Sequence, residues 1–154
     1  MKRLLIIVVL VSLCGIAQAE RITWILEAGP VTTVGGGARL SLSIPTKYDW
    51  LKAEVGILGT THGSIIDVTP MLHYGKSWYM EAGIGLGANM IALPEQQAVG
   101  LIFHDVMCGG HKWNQNLIRV CAEHWSNGGS INPVFGKEPN SGYSGIFIGY
   151  GRSF

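Results

Sequence analysis

The sequence has few charged residues: they make up 14% of its 154 residues, against about 25% in a typical soluble domain. Its 11 basic and 10 acidic residues are nearly balanced, and the basic residues form no cluster of the kind that binds nucleic acid. A sustained apolar helix period is also missing from residue 20 onward. These absences exclude nucleic acid as a partner and argue against a helical domain.

The longest apolar run lies at the N-terminus. Two basic residues precede it, it covers residues 4–13, and small residues follow it up to Ala19. This order predicts a secretory signal peptide over residues 1–19, because a transmembrane helix needs roughly 20 apolar residues. The expected mature chain, residues 20–154, fits one domain in an oxidising compartment.

Cysteine is scarce, and only Cys108 and Cys121 remain after the predicted cleavage. A two-residue turn at Asn114 and Gln115 would place the two cysteines directly opposite one another on a hairpin. A cross-strand disulfide is then conceivable, and so are two packed free thiols, because bridges between adjacent strands are often strained.

What the sequence does contain is alternation of apolar and polar residues with period two, which is typical of β-strands. Clusters of Gly, Pro, Asn and Asp separate the alternating segments. Eight segments are predicted to be strands: Arg21–Gly29, Ala38–Ile44, Trp50–Leu58, Ser64–Tyr74, Trp78–Ala88, Ala98–Gly109, Leu117–Asn127 and Tyr143–Phe154.

The two faces of these segments differ in a way that indicates a membrane barrel. In the third segment every second residue from Leu51 to Ile57 is apolar, whereas Lys52, Glu54 and Gly56 lie between them. Glycine beside charge fits the crowded interior of a narrow barrel, but on the solvent face of a soluble all-β domain it would only weaken the strand. We therefore predict an all-β fold, an eight-stranded antiparallel transmembrane β-barrel, with the soluble domain as the alternative. The side chains expected inside are Glu27, Arg39, Lys52, Glu54, Glu81, Arg119 and Glu123.

Candidate catalytic residues lie at the end of the seventh segment. His124 and Ser126 share one face of the strand with the apolar Ile118 and Val120, so we expect both to face lipid near the barrel rim. A neutral imidazole can take the proton of a serine hydroxyl, and a carboxylate on its other nitrogen fixes the tautomer. Glu138, in the following loop, can supply that carboxylate.

The same loop offers donors for an oxyanion hole. The backbone amides of Gly128 and Gly129 can approach a tetrahedral intermediate closely, and the side-chain amide of Asn127 or Asn132 can add a second donor. A turn that needs positive φ explains the two glycines equally well.

At these residues the sequence resembles the PagL family of outer-membrane lipid A 3-O-deacylases. The shared pattern is an H-x-S-N motif followed twelve residues after the serine by glutamate, in a chain with a signal peptide, eight strands and a terminal aromatic. The resemblance is specific over about Arg119–Glu138 and only architectural elsewhere. It implies that Ser126 is the nucleophile, His124 the general base and Glu138 the orienting acid. The implied reaction hydrolyses the ester-linked acyl chain at position 3 of lipid A.

This interpretation also implies a location and partners. With both termini in the periplasm, the connection after the seventh segment faces outside, so the active site would face the outer leaflet of the bacterial outer membrane. The expected partners are lipopolysaccharide and outer-membrane lipids, with no cofactor and no metal, because His62, His73 and His111 lack ligand spacing. A homodimer is left open. The alternatives are a non-enzymatic structural or adhesive barrel and a lipid acyltransferase.

Three local interpretations remain. The cysteine register would turn His104 inward and Asp105 towards lipid unless a bulge intervenes. The glycines at 35–37 lack the helix and lysine of a phosphate loop and predict a flexible turn. The tryptophans lie near segment ends more often than near centres, as in aromatic girdles, with ordinary packing as the alternative: Trp24, Trp50, Trp78, Trp113 and Trp125.

Overall fold

The computed structural model describes residues 21–32, 34–89, 100–126 and 142–154, together with the backbone of short strands at 92–93 and 96–97. Within these ranges no helix has the length and hydrophobicity needed to cross a membrane. The strands of these ranges are β1 (Thr23–Val31), β2 (Gly35–Pro45), β3 (Leu51–Thr60), β4 (Gly63–Gly75), β5 (Trp78–Asn89), β6 (Ala92–Leu93), β7 (Gln96–Gln97), β8 (Gly100–Trp113), β9 (Asn116–Ser126) and β10 (Gly142–Ser153).

Eight of these strands close into an antiparallel barrel, in the order β1-β10-β9-β8-β5-β4-β3-β2. β6 and β7 pair only with each other, in the connection between β5 and β8. The predicted eight-stranded antiparallel barrel is therefore confirmed.

The flexible turn predicted for the glycine run at 35–37 is wrong. These glycines begin β2 and pair with residues 29–31 of β1. A Cβ added to Gly37 would come within 2.8 Å of Leu58 Cδ1, so close packing explains glycine there. Glycine shows no alternation in sequence because it has no side chain, and the start of the strand was hidden for that reason.

The barrel is apolar outside and polar inside, the reverse of a soluble domain. Leu72, Ile84 and Ile148 on the outer wall are 57%, 70% and 64% exposed, whereas Arg39 and Arg119 are at most 1% exposed. All seven charged side chains predicted to point inward are buried. The alternative of a soluble domain with its apolar face inward does not fit this arrangement.

The buried charges form ion pairs with one another. Arg119 forms a two-pronged contact with Glu27, at 2.9 and 2.8 Å, and donates to both carboxylate oxygens of Glu54. Arg39 donates to Glu54 and, at 2.7 Å, to Asp67. A buried charge is costly without partners, so this network stabilises the strand register around the lumen.

An apolar layer fills the lumen at the end where β9 stops. Trp125 is fully buried there and meets Phe147 edge to face, with ring centroids 5.9 Å apart. The His104 ring stacks on the Trp125 ring, with the two ring centroids 4.9 Å apart. Trp125 thus points inward, and the expectation that it belongs to an aromatic girdle is wrong. Other members of this layer are Val31, Val34, Leu58, Ile65, Ile102 and Tyr143.

Exposed aromatic side chains gather at the opposite end, where short turns join the strands. Trp24, which is half-buried, packs there against Tyr150 at 5.8 Å. Such a ring of aromatics is typical of the membrane–water interface of a β-barrel. We call these exposed residues the aromatic belt: Tyr48, Trp50, Tyr74, Trp78, Trp113, Tyr150 and Phe154.

The β8–β9 hairpin fixes the register around the candidate site. It turns at Asn114, which has a positive φ of 53°. Cys108 lies opposite Cys121, with Cα atoms 4.1 Å apart, and a disulfide joins the two residues. The pairing is regular from residue 103 to residue 113, so no bulge intervenes: His104 points inward and Asp105 outward.

Candidate active site

His124 lies on the outer wall of the barrel, near the end of β9. Its neighbours on the same strand, Glu123 and Trp125, are buried inside, so the alternation of the strand sends its imidazole outward. In the sheet, Ser144 of β10 lies opposite His124 on one side and Asp105 of β8 on the other. Three polar side chains therefore form a row across an otherwise apolar surface.

The imidazole of His124 is hydrogen-bonded to β10. Its Nδ1 lies 2.8 Å from the Ser144 hydroxyl oxygen. Ser144 is itself held by Thr32, the residue after β1, because its backbone N–H donates to Thr32 Oγ1 and its carbonyl accepts from the Thr32 N–H, each at 2.8 Å. The His124 ring is thus bonded to a β10 side chain whose backbone is in turn bonded to Thr32.

Ser126 is the last residue of β9 and lies on the same outer face as His124, half-buried, as the alternation predicts. Its partner across the sheet is Gly142. A Cβ added to Gly142 would lie 2.8 Å from Cε1 and 3.2 Å from Nε2 of His124. The Nε2 edge of the ring therefore stands over Gly142, beside the position of Ser126.

Among the described residues, His124 is hydrogen-bonded to Ser144 and not to Ser126. Catalytic hydrogen bonds are often long without substrate and shorten only in the reacting complex. Glu138 and the oxyanion candidates Asn127, Gly128, Gly129 and Asn132 lie outside the described residues.

A groove of about 1130 Å³ runs over the outer wall from the His124 row. One side is the row Ser144, His124, Asp105 and Ile84, which follows the pairing of four strands. The parallel row on the other side is apolar, and the small side chains of its alanines leave the space that forms the groove. That second row consists of Ile146, Ala122, Met107, Ala82 and Leu72.

The sequence interpretation did not include Asp105 and Ser144 in the site. Asp105 could have been found, because the cysteine register already turned it outward beside His124. Ser144 could not, because the long connection 127–141 hides the register between β9 and β10. Thr32, which binds Ser144, depends on the closure of the barrel between β1 and β10.

One group within the described ranges has the close spacing of metal ligands: Glu27, Cys121 and Glu123. Cys121 is already bonded to Cys108, and Glu27 is ion-paired with Arg119. These contacts occupy the atoms that a metal ion would need.

Comparison with known proteins gives a likeness in structure only. No protein-family model matches the chain, and no curated protein matches it significantly. Among solved structures, the crystal structure of the outer membrane enzyme PagL is similar, with a TM-score of 0.70 and 22% sequence identity. The match covers 86% of this chain and 99% of that chain. The chain thus has the fold of the outer membrane enzyme PagL, in agreement with the resemblance in its H-x-S-N motif.

Proposed function

We propose that this protein is an outer-membrane serine esterase that removes the hydroxyacyl chain ester-linked at position 3 of lipid A in lipopolysaccharide. One observation carries the proposal: His124 and Ser126 stand on the apolar outer wall of the barrel, where polar groups are costly without a function. Both residues come from one strand of one chain, so a second copy is not required.

The reaction follows the logic of a serine hydrolase. Ser126 Oγ attacks the ester carbonyl while His124 Nε2 takes its proton. The tetrahedral oxyanion is stabilised by amides expected around Asn127, Gly128, Gly129 and Asn132. The C–O bond to the sugar then breaks, and His124 returns the proton to the leaving hydroxyl.

The second half of the reaction regenerates the enzyme. Water gives a proton to His124 and attacks the carbonyl carbon of the acyl-serine ester. The bond between that carbon and Ser126 Oγ then breaks, His124 returns the proton to Ser126 Oγ, and a 3-hydroxy fatty acid is released. Glu138 is the carboxylate proposed to orient the imidazole. The Asp105 carboxylate lies opposite His124 in the sheet, on the outer face that carries the site.

The groove supports an acyl-chain substrate. Its apolar row crosses five strands from Ile146 to Leu72, which corresponds to roughly 19 Å at the usual spacing between strands. An acyl chain lying there would reach the ester-cleaving residues without leaving the lipid phase.

The aromatic belt supports a site in the outer leaflet. Ile118 lies between His111 and the belt residue Tyr150 in the sheet, and Ser126 is eight residues further along β9. With the usual rise and tilt of barrel strands, this separation is about 20 Å along the membrane normal, in an apolar band of about 25 Å. If the short turns face the periplasm, Ser126 is near the outer interface, at the depth of ester bonds.

Mass spectrometry of lipid A from cells that express the protein tests the proposal. We expect lipid A to lose the mass of one hydroxyacyl chain with the wild-type chain and to keep it with Ser126→Ala or His124→Asn. Unchanged lipid A with the wild type would favour a non-enzymatic barrel. A gain of mass on a lyso-phospholipid acceptor would instead indicate an acyltransferase.

A further inference from the structure

The contacts of His124 with β10 assign a positioning function to that strand. We propose that Ser144 accepts a hydrogen bond from the Nδ1–H of His124 and so presents the unprotonated Nε2 to Ser126, over the space left by Gly142. The inference rests on the function proposed above and adds a positioning residue to its site.

The first step is the proton count of the ring. A neutral imidazole carries one N–H, so the nitrogen that accepts the Ser126 proton must be the other one. Nε2 is the nitrogen at the Gly142 edge, beside Ser126, and Nδ1 is the one that lies 2.8 Å from Ser144 Oγ. The hydrogen bond made by one ring nitrogen sets the protonation of the other. A serine hydroxyl can both donate and accept, so the 2.8 Å contact fits either direction. The proposal assigns Ser144 as the acceptor, because this direction leaves Nε2 unprotonated and able to act as the base.

The second step is the rigidity of the acceptor. Ser144 lies directly opposite His124 in the sheet, and Thr32 binds both its backbone N–H and its carbonyl. A site built on paired strands is held more accurately than one on a loop. Glu138, by contrast, belongs to the long connection after β9. Ser144 and the proposed Glu138 carboxylate would share the single Nδ1–H as two acceptors, and Ser144 fixes the imidazole wherever the loop carries that carboxylate.

A different assignment of the same contact would make Ser144 the nucleophile, because 2.8 Å is also the distance of a nucleophile from its base. In serine hydrolases the orienting group is on Nδ1 and the nucleophile on Nε2. Ser144 occupies the first position, and for this reason we assign it the positioning role.

The test combines two measurements on the full-length barrel in detergent micelles. The ring ¹⁵N shifts of histidine-labelled protein report the tautomer of His124, whose signals are assigned by their loss in His124→Asn. Steady-state hydrolysis of an ester substrate gives kcat and KM. The variants are Ser144→Ala, the conservative Ser144→Thr, and Ser77→Ala as a matched control in the distant β4–β5 turn.

We expect the Nδ1–H tautomer in the wild type. Ser144→Ala should shift His124 towards the Nε2–H tautomer and lower kcat about tenfold with KM unchanged, and Ser144→Thr should restore both. An unchanged tautomer in Ser144→Ala would overturn the inference, as would a serine-reactive phosphonate attached to Ser144 instead of Ser126. The shifts need no turnover, so a wild type that is inactive on lipopolysaccharide would contradict the proposed function separately.

Discussion

Trp125 and His104 stack ring on ring inside the barrel, with centroids 4.9 Å apart and planes inclined by 3°. Both side chains are fully buried, and His104 is anchored by hydrogen bonds to Thr69 and Glu123, at 2.8 and 3.0 Å. The stack fixes the end of β9, where Trp125 points inward and its neighbours His124 and Ser126 point outward. The position of the candidate site is thus determined from inside the barrel.

Removing this anchor should weaken both stability and activity. Trp125→Ala would leave a large cavity, and we expect it to cost about 3–5 kcal/mol. Thermal unfolding in detergent, followed by the heat-dependent gel mobility of the barrel, measures the loss. Trp113→Ala, in the exposed aromatic belt, is the matched control and should lower the midpoint much less. Equal shifts for the two variants would contradict the anchoring role.

Gly142→Ala should move the imidazole of His124. The new methyl group would come within 2.8 Å of Cε1 and within 2.6 Å of the Trp125 carbonyl oxygen, so the ring or the strand end must shift. A displacement of about 1 Å at a reacting group can cost about 100-fold in rate. We therefore expect a loss of kcat of about 10- to 100-fold in ester hydrolysis assays.

Gly109→Ala is the control for that substitution. Gly109 lies on the outer face of β8, and a Cβ there would meet nothing within 4 Å. Its activity should equal that of the wild type. If Gly142→Ala retained full activity with its barrel folded, the ring would not depend on the space over Gly142.

The groove predicts a selective effect on long acyl chains. Ala82 lies in its apolar row on β5, two strands away from His124. A tryptophan at this position should block a long chain but leave the ester-cleaving residues untouched. We expect Ala82→Trp to raise KM for long-chain esters at least about tenfold and to leave short-chain esters unaffected.

Ile57→Trp, on the exposed outer face of β3 and outside the groove lining, serves as the comparison. It should affect neither substrate. A uniform loss on long and short esters with Ala82→Trp would mean that the substitution disturbs the barrel instead of the acyl-chain path.

The buried ion pairs in the lumen predict that breaking them lowers the stability of the barrel but leaves the candidate site unchanged. Arg119→Met would leave Glu27 and Glu54 with Arg39 as the arginine that still contacts both of them. Breaking one partner out of a buried network costs about 3–5 kcal/mol. Urea unfolding in detergent measures this cost, and a loss under about 1 kcal/mol would show that the two carboxylates find other partners.

The fold could be predicted from the sequence because apolar and polar residues alternate visibly wherever a strand carries side chains. Lys52, Glu54 and Arg119 identify the strand faces that point into the lumen. His124 and Ser126 are on the same strand as Arg119 but on its other face, so they are predicted to point outward. The same parity argument would have turned Trp125 inward, and it was overlooked because tryptophan near a strand end also fits a girdle.

The rest of the site depends on contacts between distant parts of the chain. Ser144 and Gly142 reach His124 only through the register of β9 with β10, which the connection 127–141 leaves open in sequence. Thr32 reaches Ser144 only through the closure of the barrel. Periodicity gives the face of each strand but not its alignment with a partner far along the chain.

Release of fatty acid from lipopolysaccharide by the purified barrel tests the central claim most directly. Wild-type protein should release one 3-hydroxy fatty acid per lipid A, and folded Ser126→Ala should release it at least roughly a thousandfold more slowly. Equal release by both proteins, or none by the folded wild type, would contradict the account.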